Sequence, residues 1–374
     1  MSVLRWLPTL LVLLPWLFGP AAPPNDWRIR QIAAPTSFGM LDWETLALAQ
    51  RVSRLWRGLV GSARDADGEV ETLRAYFRAG SERGQLRVPT EVALEAMVSR
   101  AYEEQGLHRG APVTLGRLFP PVLVALTEPP NVLVVAPRTE LREASSVVLR
   151  GMDVAAQEQL EAAADTTGMV SLVAPIGGLA TYPSMVLEDN DPERVLAAVA
   201  HEWLHQYLVF FPLGAGYWSS QQAREINETT ADLVGDEIAT ALSARYQLSQ
   251  VSAPATRRNP ASFDFRAFMR ETRLRSEELL AQGRVEDAEA YMRARGQDLR
   301  QRGYNIRKLN QAYFALYGSY GGGFAASPNN PIPALLRQLR ERSASLSEFV
   351  EHVRGLTSVA ELRATLGALP VASS

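Results

Sequence analysis

The stretch Ala200-His201-Glu202-Trp203-Leu204-His205 lies within residues 191–211, which read DPERVLAAVAHEWLHQYLVFF. Its pattern is H-E-x-x-H. On an α-helix, positions four apart share a face, so the His201 and His205 imidazoles converge on one point. Glu202 lies about 100° further round, close to that point. Two converging imidazoles are a pair of metal ligands, and the carboxylate beside them is a base. The chain has 4 histidines, and two are here. The surroundings predict a helix. Asp191 suits the N-cap, Pro192 the first helical position, and Glu193 the positive end of the helix dipole. Val195 to Phe211 contains no Pro or Gly, and Pro212, Gly214 and Gly216 end the run. Val195, Ala198, Ala200, Leu204 and Leu208 predict that this helix is largely buried. Buried imidazoles and carboxylates need partners, and a metal ion is one that serves both.

A third ligand is expected from the next helix. Ser219 and Ser220 suit its cap, and it runs from about Gln221 to Tyr246. It carries Asn227-Glu228, followed by Asp232. Glu228 and Asp232 are four apart and share a face. Here the chain resembles the gluzincin metallopeptidases, the thermolysin-like clan, whose second helix carries N-E-x-x-S-D or a close variant. Ala231 stands where members of that clan often have Ser. The resemblance covers roughly residues 168 to 240. It implies that Glu228 is the third zinc ligand and that Asp232 hydrogen-bonds a zinc-bound histidine. It further implies a fourth position for water, with Glu202 moving the proton. Gluzincins also place a Tyr or His downstream to stabilise the oxyanion. Tyr320, at a helix-to-glycine transition before Gly321-Gly322-Gly323, is the preferred candidate. Tyr313 and Tyr317 share a helix face and read as packed, and His352 reads as a surface residue.

Upstream, the chain reads as strands. Val122 to Leu126 and Val132 to Val135 flank Glu128-Pro129-Pro130-Asn131, a hairpin signal. Ser146 to Leu149 is a further short β-branched run. Met169 to Ile176, Gly177-Gly178, and Leu179 to Leu187 read as a second hairpin. Gluzincins set an edge strand beside the zinc helix, to which a substrate backbone adds as a further strand. Thr181 to Val186 occupies that place, and Pro183 suits an edge. Aminopeptidases of the clan carry G-x-M-E-N in this region; the present chain has no such motif.

The chain has 374 residues, a formal net charge of -3, 47% apolar residues and no cysteine. That balance argues against a nucleic-acid partner and excludes disulfide and thiol chemistry. Val3 to Phe18 is apolar except for Arg5 and Thr9, and Gly19-Pro20-Ala21-Ala22-Pro23-Pro24 follows. This reads as a signal peptide or a membrane anchor, with the catalytic region outside the cytoplasm. Further helices are expected over Leu41 to Val60 (with Asp42 a possible cap), Thr90 to Gln105, Phe263 to Gln282, Val285 to Arg302, Ile332 to Arg342, Leu346 to Val353 and Val359 to Leu366.

The expected architecture is α+β: a small, mostly antiparallel sheet with an edge strand beside the H-E-x-x-H helix, then a mainly α-helical C-terminal lobe. The expected divisions are 1–24 for the signal or anchor, 25–118 for a helical N-terminal region, 119–250 for the zinc-peptidase core and 251–374 for the helical lobe. The expected function is zinc-dependent hydrolysis of a peptide or protein by a membrane-attached or exported enzyme, with His201, His205 and Glu228 on the metal. A membrane-tethered binding or assembly protein with a structural zinc site is the alternative. Glu202 favours the enzyme, since a structural site has no use for a base.

Overall fold

The structure is a computed structural model that describes residues 26–60, 66–109, 118–248, 263–318, 327 and 329–369. The apolar run at 3–18 and Tyr320 lie outside them. Four helices lead: α1 (Asp26–Ala33), α2 (Met40–Val60), α3 (Ala66–Arg78) and α4 (Arg87–Glu104). Strands β1 (Val124–Leu126), β2 (Asn131–Ala136) and β3 (Ser145–Leu149) follow, then α5 (Val154–Asp165). Next come β4 (Val170–Pro175), β5 (Gly178–Leu179) and β6 (Ser184–Val186). The rest is helical: α6 (Pro192–Leu208), the single turn α7 (Pro212–Ala215), α8 (Gln221–Tyr246), α9 (Phe265–Ala281) and α10 (Val285–Gln301). The last described elements are α11 (Gln311–Gly318), α12 (Ile332–Arg342), α13 (Leu346–Val353) and α14 (Val359–Ala368). The architecture is mixed α+β, with two three-stranded sheets among the described residues.

The strands pair differently from the sequence expectation. β1 and β2 do not form a hairpin: β1 joins the sheet β1-β6-β5, while β2 is the centre of β3-β2-β4. β1 runs parallel to β6, Val124 opposite Ser184, and β6 pairs antiparallel with β5. The stretch before Gly177 belongs to the other sheet, so Met169 to Leu187 is not a hairpin either. Pro129 and Pro130 mark a bend between two sheets, not a turn within one. Thr181–Val186 is not the edge. Ser184–Val186 is the buried central strand, Thr181–Pro183 is loop, and the edge beside the helix is Gly178–Leu179.

Alternation along β2 gives the second sheet two buried faces. Val132, Val134 and Ala136 pack toward α9, α10 and α11, with Phe268, Met292 and Phe314. Leu133 and Val135 face α1 and α5, with Ile29, Leu160 and Ala164. Each such fully buried Val or Leu is worth roughly 1.5–3 kcal/mol. The helices α12 to α14 leave this cluster and pack with α3, α4, α6 and α8 around Trp203, Leu336 and Phe349. The helices beyond residue 251 therefore divide between two apolar clusters.

The outer edge of β1 is closed by carboxylates. The Val124 and Leu126 amides donate to Glu95 Oε1 at 3.1 Å and to Glu91 Oε1 at 3.0 Å. Arg54 bridges both acids, at 3.1 Å to Glu95 and 2.9 Å to Glu91, and Arg51 adds a second contact to Glu91. On the same side, Glu44 accepts from the Tyr182 amide at 2.8 Å. Burial pushes the Glu44 carboxyl up to about 7, against the smaller opposing effect of that hydrogen bond.

Candidate metal centre

Helix α6 starts as its sequence dictates. The Asp191 carboxylate accepts from the Glu193 amide, with Pro192 at the first position. It ends at Leu208, slightly before the expected Phe211. Its faces divide the work. Trp203 is fully buried, donates from Nε1 to Pro120 O at 2.8 Å, and lies 4.2 Å from the Tyr102 ring. Tyr102 in turn donates to Ala200 O. Gln206 ties the helix to the β5–β6 region through Thr181 O and Ser184 Oγ. The remaining face carries His201, Glu202 and His205.

Helix α8 is capped by Ser220, which accepts from the Ala223 amide. It lies against α6 so closely that a Cβ on Gly235 would be 2.8 Å from Ala197 O. That approach brings Asn227, Glu228 and Asp232 to the two histidines. His201 Nε2 and His205 Nε2 are 2.9 Å apart. Glu228 Oε2 is 3.5 Å from the first and 3.6 Å from the second. Ligands held at about 2.0–2.2 Å by a tetrahedral ion are about 3.3–3.6 Å from one another. The two distances to Glu228 match that edge, and the two Nε2 atoms, at 2.9 Å, are closer than an ion between them would hold them.

The hydrogen bonds around the rings fix what these atoms offer. His201 Nδ1 is 3.1 Å from Asp232 Oδ1. His205 Nδ1 is 2.6 Å from Asn227 Oδ1, and the Asn227 amide nitrogen points to Leu213 O. Each Nδ1 therefore carries the hydrogen, and in the neutral rings each Nε2 presents a lone pair. Both lone pairs face each other and Glu228 Oε2, a buried oxygen with no hydrogen-bond partner. With both rings neutral, three electron-pair donors in near contact would repel, and a cation between them, a proton or a metal ion, removes that repulsion. Of the described residues, His201, His205 and Glu228 form a group able to hold a metal ion. The other carboxylate oxygen, Glu228 Oε1, accepts from the Tyr217 hydroxyl. Tyr217 stands edge-on to His205 and lies under the Arg224 guanidinium.

Charge follows the same geometry. Burial lowers the His201 pKa, but hydrogen bonds to Asp232 and Glu228 outweigh it and hold the imidazole well above its ordinary range. Burial alone would raise Glu228; electrostatic attraction to the two imidazoles beside it, His205 first, outweighs burial and holds it well below the carboxylate range. Glu202 has no such partner. Burial raises its pKa, with Glu228 and Asp232 adding to the rise and the histidines opposing it.

Glu202 stands where two cavities meet. One, of about 180 Å³, is mainly apolar, with Met40, Val132, Val148, Ile176, Trp218 and Leu316 in its walls. The other, of about 320 Å³, has the charged Asp189, Arg194, Asp232 and Asp236 in its lining together with Leu187, Val195 and Ala198. Gly178, His201 and Glu202 border both. A Cβ on Gly178 would lie 2.2 Å from Glu202 Oε1. The edge strand thus passes directly over the Glu202 carboxylate because residue 178 has no side chain.

Five of the six residues singled out in the sequence come together: His201, Glu202, His205, Glu228 and Asp232. Tyr320, the sixth, is outside the described residues. Tyr217, Gly178 and the role of Asn227 as partner of His205 were not read from sequence. Asn227 sits inside the helix motif, but Tyr217 falls in a short interhelical stretch without periodicity. Gly178 belongs to Gly177-Gly178, which reads as a turn. No family model, no curated protein and no solved structure matches this chain.

Proposed function

We propose that the chain is a zinc-dependent hydrolase of peptide bonds, of the gluzincin kind its two helix motifs resemble. One observation carries the reading. Two imidazole Nε2 atoms and an unpartnered carboxylate oxygen converge within 3.6 Å of one another, and a buried Glu202 borders the same cleft. His201, His205 and Glu228 would hold the ion. Asp232 and Asn227 would fix the tautomers of the two rings, and Tyr217 the orientation of the Glu228 carboxylate. Zinc held there would supply a Lewis acid for the scissile carbonyl and a water acid enough to ionise near neutral pH.

The chain's own groups do the rest. Glu202 accepts the proton of the attacking water and returns it to the leaving amine. Its raised pKa makes it a better acceptor of the water proton than an ordinary carboxylate. A substrate backbone aligns along Gly178–Leu179, the edge that passes Glu202. A structural zinc site closes all four positions with protein ligands. Three donors with a base beside them fit a reactive site better.

The test joins metal content to turnover. The purified full chain is expected to hold one zinc and to cleave members of a mixed peptide library. Glu202→Gln is expected to keep zinc and fold while hydrolysis falls by about 10²–10⁴-fold. A wild-type chain that binds zinc and cleaves nothing would give the site to structure instead.

A further inference from the structure

Helix α2 is apolar on two sides. Its inner side buries Ala47, Leu48, Glu44 and Arg54. Its outer side carries Leu41, Thr45, Ala49, Val52 and Trp56, all exposed. The spacing is 4, 4, 3, 4. At about 100° per residue these five fall within an arc of about 80°, a continuous stripe along four turns. Leu41 is 49%, Val52 52% and Trp56 57% exposed, values that rule out a core role. Nothing among the described residues covers the stripe. Trp27 on α1 is also exposed, at 53%.

The chain before α1 points to what covers this face. The apolar run Val3–Phe18 ends eight residues before Asp26. Eight residues reach at most about 27 Å even when fully extended. If the run enters a bilayer, Asp26, the first residue of α1, is held within about that distance of its surface, and α2 follows after six residues beyond the end of α1. A narrow apolar stripe with tryptophan at one end suits a helix lying in the headgroup region, where indole rings concentrate. We infer that α2 lies along a lipid bilayer surface, its Leu41-to-Trp56 stripe in the interface, beside the point where residues 3–18 enter the same bilayer. Met40, the first residue of α2, lines the apolar cavity next to His201. The contact therefore sets that cleft at the membrane surface.

The chain has no cysteine, so single introduced cysteines report cleanly. Thr45→Cys lies in the stripe, and Gln50→Cys lies on the exposed side about 140° away from it. Both full-length variants carry an environment-sensitive fluorophore and meet phosphatidylcholine vesicles with and without doxyl-labelled lipid. The expected result is quenching by the labelled lipid at least threefold stronger at position 45 than at 50. Equal, weak quenching at both sites on vesicle-bound protein overturns the inference, as does failure to bind vesicles. Protection of position 45 that persists without vesicles also overturns it. If that protection rises with protein concentration, a second copy covers the stripe; if it is independent of concentration, the chain's own apolar run does. None of these outcomes depends on zinc or on peptide cleavage.

Discussion

Gly178→Ala tests whether the closeness of β5 to Glu202 matters for turnover. The φ of Gly178 lies outside the left-handed region, so alanine is allowed by the backbone and only space opposes it. The added Cβ would lie 2.2 Å from Glu202 Oε1, 2.8 Å from its Cδ and 3.0 Å from its Cγ. Ordinary contact needs about 3.4 Å or more, so the carboxylate must retreat by about 1 Å. A displacement of that size costs about 10²-fold in rate when the displaced group is the proton carrier. The stability cost is that of mild overpacking, about 1–3 kcal/mol, and less if the two-residue edge strand yields. Gly177→Ala is the matched control, because a Cβ there meets nothing within 4 Å. The assay pairs zinc content with kcat on one peptide. The expected result is zinc near one per chain in both variants, with kcat down about 10²-fold for Gly178→Ala alone. Wild-type kcat with zinc retained would mean that the position of Glu202 under the strand is irrelevant to the chemistry. Loss of zinc from this variant would also refute the reasoning, since the ligands lie away from the new methyl.

Asp232→Ala and Asn227→Ala each remove the acceptor of one imidazole Nδ1–H and should each weaken zinc affinity by about 10–100-fold in competition with a chelator; unchanged affinity would make these contacts incidental. Tyr217→Phe frees Glu228 Oε1 and should weaken zinc in the same assay by less than Asp232→Ala does; an effect as large would make Tyr217 more than a support. Glu44 gives a pH dependence whose sign follows from its raised pKa. The folded chain holds this proton more tightly than the unfolded one. Stability is therefore greatest below about pH 4.5 and is lost as pH rises through about 7. The full loss is roughly 3 kcal/mol at 1.36 kcal/mol per unit. Urea unfolding of the metal-stripped chains should show Glu44→Gln equal to wild type near pH 4 and more stable near pH 8. Parallel curves across that range would contradict the assignment.

Most helices, though not α1, α3 or α5, and the convergence of His201, His205 and Glu228 were legible in the sequence because their signals are local. Asp191-Pro192 and Ser220 mark the two helix starts, and Ile332–Arg342 and Leu346–Val353 begin and end as their periodicity predicts. Spacing alone puts His201 with His205, and Glu228 with Asp232. Strand partners were not legible, because β1 chooses β6 some sixty residues later, a pairing that no turn motif encodes. The Glu128-Pro129-Pro130 signal was real but marked a change of sheet. Asp42 sits within the first turn of α2, which begins at Met40, and is not its cap. Helix α5 was not expected, although Asp153, whose side chain accepts from the Ala156 amide, and the alanine-rich run after it are the local signals of its start and body. Gly178 reads as a turn residue because sequence does not show that a carboxylate from another helix fills the space where its side chain would be.

The acid-closed edge of β1 gives the first sheet a handedness of access. On one flank, two backbone donors that a passing strand would seek are already engaged by Glu91 and Glu95, themselves clamped by arginines. On the other flank, Gly178–Leu179 has no further strand beyond it among the described residues. An extended chain that pairs with this sheet is thus admitted from one direction only, and that direction leads past Glu202. The same arrangement denies a second protein molecule the symmetrical edge it would need to stack into a fibre. Guarding one margin with buried charge leaves the other free to serve as a gate.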